Sequence, residues 1–188
     1  MPSFLQSLPL RWLVAIVAFP IGGFVGYLVG GPVSTVPAAL ISGAIAGAII
    51  GSGQAVALKL TRRALVSWVA ATTVGLGLAL AAVTAVIGQI STTTEAVMLG
   101  AVAGLLLGAG QAFVLHREGV RWSWIWVPAS AVAWALGWLV TSSVGVALAT
   151  GWPVYGLSGA IVSQVITGVV IWRLIGMASR PVVVATPA

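Results

Sequence analysis

Six apolar stretches, at approximately residues 11–30, 36–58, 64–88, 95–115, 122–149 and 153–175, take up most of the chain. A bilayer hydrocarbon core about 30 Å thick needs roughly 20 apolar residues in a helix, and each stretch is long enough. The alternative, a water-soluble fold, lacks the means to make a surface. Only eight Lys and Arg and two Asp and Glu occur in 188 residues, so 5% of the chain is charged, against roughly 25% in soluble domains. The expectation is an all-α integral membrane protein: one membrane domain over residues 1–188, six spans, and a short tail at 176–188. Met1 to Leu10 carries no basic residue and the apolar run from Trp12 to Gly30 is long. The first stretch therefore reads as an uncleaved span, not as a signal peptide with its positive start and shorter apolar core.

The charges set an orientation. Arg11, Lys59, Arg62, Arg63, Arg117, Arg121, Arg173 and Arg180 all fall on one side of a six-span path, and Glu95 is the acidic residue on the other. Lys and Arg in short loops stay in the cytoplasm, so both termini are expected there. A net charge of +6 could suggest a nucleic-acid partner, but helix-end positions account for every basic residue and none is expected. The partners are the bilayer and a membrane protein or second copy of the chain. Seven of the eight basic residues are Arg, which with the Ala, Gly and Val content points to a bacterial cytoplasmic membrane. Trp12, Trp68, Trp122, Trp124 and Trp172 lie near the basic ends, with Trp152 and Tyr155 near the other. They are expected at headgroup level, where amphipathic rings collect; Trp134 and Trp138 lie deeper.

The chain repeats itself. Residues 43–58 (GAIAGAIIGSGQAVAL) and 100–115 (GAVAGLLLGAGQAFVL) are identical at nine of sixteen positions, 57 residues apart (100 − 43). A weaker copy begins at Ser158, at an offset of 116 (159 − 43). Arg11, Arg63 and Arg121 open the odd-numbered spans. The unit is then a helical hairpin, at approximately 11–58, 63–115 and 121–175. Units of two spans are parallel, related by an axis along the membrane normal, and the expected assembly is a pseudo-threefold bundle.

Each even span carries a small residue at every fourth position: Gly43, Gly47, Gly51; Gly100, Gly104, Gly108; Gly159, Ser163, Thr167. The first span has Gly22, Gly26 and Gly30. Residues four apart share a helix face. Hydrophobicity cannot join helices already in lipid, but close packing can, and glycine lets backbones approach. These rows read as helix-packing seams. Gln54 and Gln111 follow three residues after Gly51 and Gly108 and continue the same faces. A buried amide without partners is costly. Each must bond a neighbouring helix or line a polar cavity. The third copy has Val170 at this position and Gln164 deeper, so an intramembrane polar site of Gln54, Gln111 and Gln164 would be asymmetric. Pro20 and Pro128 lie within odd spans and each removes a backbone donor.

No Asp, Glu, Lys or Arg lies at the centre of a stretch, which argues against proton or ion pathways. There is no cysteine and a single histidine, His116, too few for a metal site, and no cofactor is expected. HExxH, GxSxG and P-loop motifs are missing, and no enzyme is expected; His116 with Glu118 would be the only acid–base pair.

The repeated GxxxGxxxGxGQxxxL pattern at Gly43 to Lys59 and Gly100 to Arg117 resembles uncharacterised bacterial multi-pass membrane proteins with Gly-rich helices ending in Gln and Leu-Arg or Leu-Lys. The resemblance covers about a fifth of the chain; it implies the architecture and no site residues. The three-hairpin plan is similar to that of mitochondrial carriers, whose Pro-x-acidic-x-x-basic signature is missing from all three copies. The expected function is a non-enzymatic scaffold or accessory subunit held by glycine seams. The alternative is a small transporter or channel for a neutral or lipophilic solute.

Overall fold

The computed structural model describes residues 2–145 and 156–178. Those residues form helices and short turns, with no strand among them: α1 (Pro2–Val14), α2 (Ala18–Gly30), α3 (Val36–Leu58), α4 (Arg62–Ile87), α5 (Thr93–Arg117), α6 (Trp126–Ser143) and α7 (Leu157–Ala178). A single 3-10 turn, Ala15–Val17, joins α1 to α2, and both belong to the first span. Six segments are long and apolar enough to cross a membrane, the shortest of 21 residues, about 31 Å of helix at roughly 1.5 Å per residue. Leu10, Leu28, Val29, Val56, Val66 and Val86 lie exposed, while Ser42, Gln54, Thr72, Gln111, Ser130 and Gln164 are buried. An apolar exterior around polar side chains is the arrangement that a hydrocarbon solvent selects.

Local chemistry sets the ends. Thr35, Thr61 and Thr92 cap α3, α4 and α5 by accepting from the backbone N–H of Ala38, Ala64 and Glu95. Glu95 returns a bond to the Thr92 N–H, completing a capping box that satisfies two otherwise unpaired donors. Two prolines leave matching marks. The 3-10 turns Ala15–Val17 and Ser123–Ile125 begin five residues before Pro20 and Pro128 (20 − 15; 128 − 123). Each contains the carbonyl four residues before the proline, Ile16 or Trp124, which the ring crowds and cannot bond.

Each span packs on its neighbours in sequence, and α7 returns to α1, so the bundle closes as a ring. The most extensive contacts are α3 with α4 and α5 with α6, between the expected hairpins and not within them. The connectors Lys59–Thr61 and Glu118–Trp122 lie at one end, here called the basic end.

Two expectations need correction. The fifth span does not run to residue 149 and is not the longest: α6 stops at Ser143, and Gly145 turns the chain at a φ of +79°. Apolarity continues past this point, so hydropathy carries no stop signal; a glycine in the left-handed region does. Trp12 and Trp68 do not face outward as aromatic-belt residues would but are fully buried, whereas Trp122, Trp124 and Trp172 are exposed. Trp152, Tyr155, Arg180 and the tail at 179–188 lie outside the described residues.

Candidate functional site: a polar layer at the basic end

The glycine rows bring the spans together first. A methyl group at Gly47 would stand 2.5 Å from the Thr72 carbonyl oxygen of α4, and one at Gly43 2.8 Å from that of Leu76. Gly51 faces Thr72 through its side chain. The second row repeats this on α6: Gly100 meets Trp134, Gly104 meets the Ser130 carbonyl and Gly108 meets the Ser130 side chain. Only glycine permits such backbone approach. The third row behaves differently. Gly159 abuts Gly137 and Thr141 of α6. The Ser163 hydroxyl donates to the Gly159 carbonyl (3.0 Å), and that of Thr167 to the Ser163 carbonyl (2.6 Å). In span one, Gly22 and Gly26 face Ala46 and Ser42 of α3. All these rows meet other spans of the same chain.

Gln54 and Gln111, one turn beyond their rows, are carried into the interior, where they meet Gln164. The Trp126 indole N–H donates to Gln111 Oε1 (2.8 Å). Gln111 Nε2 donates to Thr72 Oγ1 (2.8 Å) and to Gln54 Oε1 (3.2 Å). The Trp68 indole N–H donates to the same Gln54 oxygen (3.3 Å). Gln54 Nε2 donates to Gln164 Oε1 (3.1 Å), and Gln164 Nε2 to the Trp12 carbonyl oxygen (2.9 Å). The Trp12 indole N–H ends the chain on Thr167 Oγ1 (3.2 Å). An indole can only donate. Trp68 and Trp126 therefore fix which way the amides of Gln54 and Gln111 point, and their nitrogens must face onward. The bonds run in one direction, each able to polarise the next in a dry interior.

This single network reaches all six spans: Trp12 in the first, Gln54 in α3, Trp68 and Thr72 in α4, Gln111 in α5, Trp126 in α6, and Gln164 with Thr167 in α7. The indoles form its lid at the basic end. Trp12 meets Trp126 edge to face with centroids 6.0 Å apart, and Trp68 lies 6.1 Å from Trp126. The amides are satisfied; the buried hydroxyls of Thr84, Ser123 and Ser130 lack partners. Ser130 follows Trp126 by four residues as Thr72 follows Trp68. Thr72 receives an N–H from Gln111, whereas Val170 of α7 packs against the cluster that holds the indoles and offers Ser130 no donor.

The three glutamines of the sequence reading thus meet, through partners it did not include: Trp12, Trp68, Trp126 and Thr72. A signal was present. The three tryptophans recur at 56 (68 − 12) and 58 (126 − 68) residues, close to the period of 57, whereas the starting arginines Arg11, Arg63 and Arg121 do not keep constant distance from them. His116 and Glu118 are exposed at the α5–α6 turn, and the His116 ring lies 6.1 Å from that of Trp124.

Beyond the layer, toward the other end, lies an apolar cavity of about 80 Å³ between Phe19, Ile50, Leu76, Leu80, Trp134 and Ala160. The hydroxyls on its wall are those of Thr141 and Ser163, and Ser163 is bonded within its own helix. Such a space stays dry.

Comparison of the chain with protein-family models, curated proteins and solved structures gives no match.

Proposed function

We propose that this chain is a non-enzymatic, rigid subunit of the bacterial cytoplasmic membrane, a scaffold or accessory component built from three tandem hairpin repeats about a pseudo-threefold axis. The observation that carries this reading is the polar layer: one run of hydrogen bonds between neutral side chains joins all six spans. Such a cross-link opposes the sliding and rocking of helices by which carriers work, and it holds no ionisable group for proton or ion coupling. The internal identity over residues 43–58 and 100–115 supports the repeat. The basic residues gathered on one side support cytoplasmic termini. The glycine rows meet spans of this same chain, so a protein partner would meet the lipid-facing surface instead. Photo-crosslinkers at the exposed positions Val66, Val86 and Phe113, activated in native membranes, test this. A discrete protein adduct or a dimer is expected; adducts to lipid alone would contradict the scaffold reading.

The apolar cavity favours a second reading, a transporter for a neutral or lipophilic solute. It requires flux across liposomes that falls when Ala160→Leu fills the cavity. Flux unchanged by that variant would remove it.

A further inference from the structure

Two basic turns lie at the same end of the bundle and they are not alike. The α3–α4 turn, Lys59–Thr61, passes directly into α4, whose first residues are Arg62 and Arg63. At the α5–α6 turn, Pro128 delays the regular helix. The chain makes a 3-10 turn at Ser123–Ile125 before α6 starts. This leaves a hollow of about 370 Å³ lined by His116, Gly119, Arg121, Trp122, Ser123 and Trp124.

Three features mark the hollow. Ser123 borders it, with a hydroxyl that lacks a hydrogen-bond partner and is closed off from the surface. Trp122 is held at φ +61°, ψ +21°, a region costly for a bulky side chain, as Lys59 of the other turn is at φ +52°. Trp122 is 62% exposed and Trp124 55% exposed, and exposed indoles beside basic turns favour headgroups. Arg121 is exposed and makes no salt bridge among the described residues. Arg117, by contrast, is turned onto the Phe113 ring.

We infer that this hollow holds the phosphate group of an anionic phospholipid from the leaflet at the basic end. Arg121 supplies the charge-assisted donor, and His116 borders the same space. Trp122 and Trp124 flank the acyl-chain side of the headgroup. Charge alone does not single out this turn, since Lys59, Arg62 and Arg63 crowd the other one. The hollow and the paired tryptophans do.

The test uses the full chain reconstituted in mixed bilayers of phosphatidylcholine and phosphatidylglycerol, then extracted into mild detergent, with retained lipid read by native mass spectrometry. Wild type is expected to retain phosphatidylglycerol in preference to phosphatidylcholine. Arg121→Gln should lower that retention about tenfold, the order of one charged hydrogen bond. Arg121→Lys should keep most of it, and Arg63→Gln, at the other turn, all of it. Unfolding temperatures of the variants separate loss of lipid from loss of fold. Equal retention of the two lipids overturns the proposal. So does an Arg63→Gln effect as large as that of Arg121→Gln, since binding would then follow diffuse charge and not the hollow. Inorganic phosphate that displaces the lipid would place the anion in the hollow; a bound phosphate adduct without lipid would overturn the lipid assignment.

Discussion

The basic half of the bundle and the opposite half solve one problem in two ways. Helices immersed in hydrocarbon gain nothing from hiding apolar surface from lipid. In the half away from the basic turns, backbones touch: Gly43 on Leu76, Gly100 on Trp134, Gly26 on Ser42. In the basic half, hydrogen bonds between Gln54, Gln111, Gln164 and three indoles take over. The backbone seams depend on the absence of a side chain, the polar layer on its presence. The first should therefore fail abruptly when atoms are added and the second gradually when atoms are removed.

The largest effect is expected at the seams. Gly47→Leu or Gly104→Leu drives a side chain into a backbone carbonyl, which no rotamer relieves, and the folded monomer should disappear from size-exclusion profiles in mild detergent. A well-behaved monomer for both would erase the contrast between the halves. Next comes Gln111→Leu. It strips the Trp126 N–H of its acceptor and removes donors to Thr72 and Gln54, at a cost of about 1–3 kcal/mol, read as a lower unfolding temperature. Gln54→Leu should cost a similar amount, and the double variant less than the sum, because the two residues share one network; strict additivity would mean that the layer is a set of separate pairs. Gln164→Leu removes one link at each side and should cost less, near the ~0.6 kcal/mol average for interhelical bonds in membranes. The smallest effect is Ser130→Ala. It deletes a hydroxyl without a partner and should be neutral or slightly stabilising. A loss comparable to Gln111→Leu would show that Ser130 belongs to the layer.

The spans, the basic end and the glycine faces could be read from the sequence because length, charge and a four-residue spacing are one-dimensional signals. Gln54 and Gln111 inherited an inward direction from Gly51 and Gly108. The tryptophans were harder. Trp68 and Trp124 sit at similar distances from basic residues, yet one is buried and the other exposed. Their separation is a matter of helical phase, and helices apolar on every side give phase no contrast. The end of α6 was hidden for a related reason: the residues beyond Gly145 are as apolar as those before it. Gly159 keeps the spacing of its counterparts but turns to α6, since which neighbour a row meets depends on the whole ring.

The claim that one hydrogen-bonded layer joins the six spans is most directly tested on the indole N–H groups. Exchange of the tryptophan side-chain protons, followed by NMR in detergent micelles, should show Trp12, Trp68 and Trp126 protected and Trp122 and Trp124 exchanging freely, with Gln111→Leu releasing Trp126 first. Protection of Trp126 no greater than that of Trp122, or unchanged by Gln111→Leu, would contradict it.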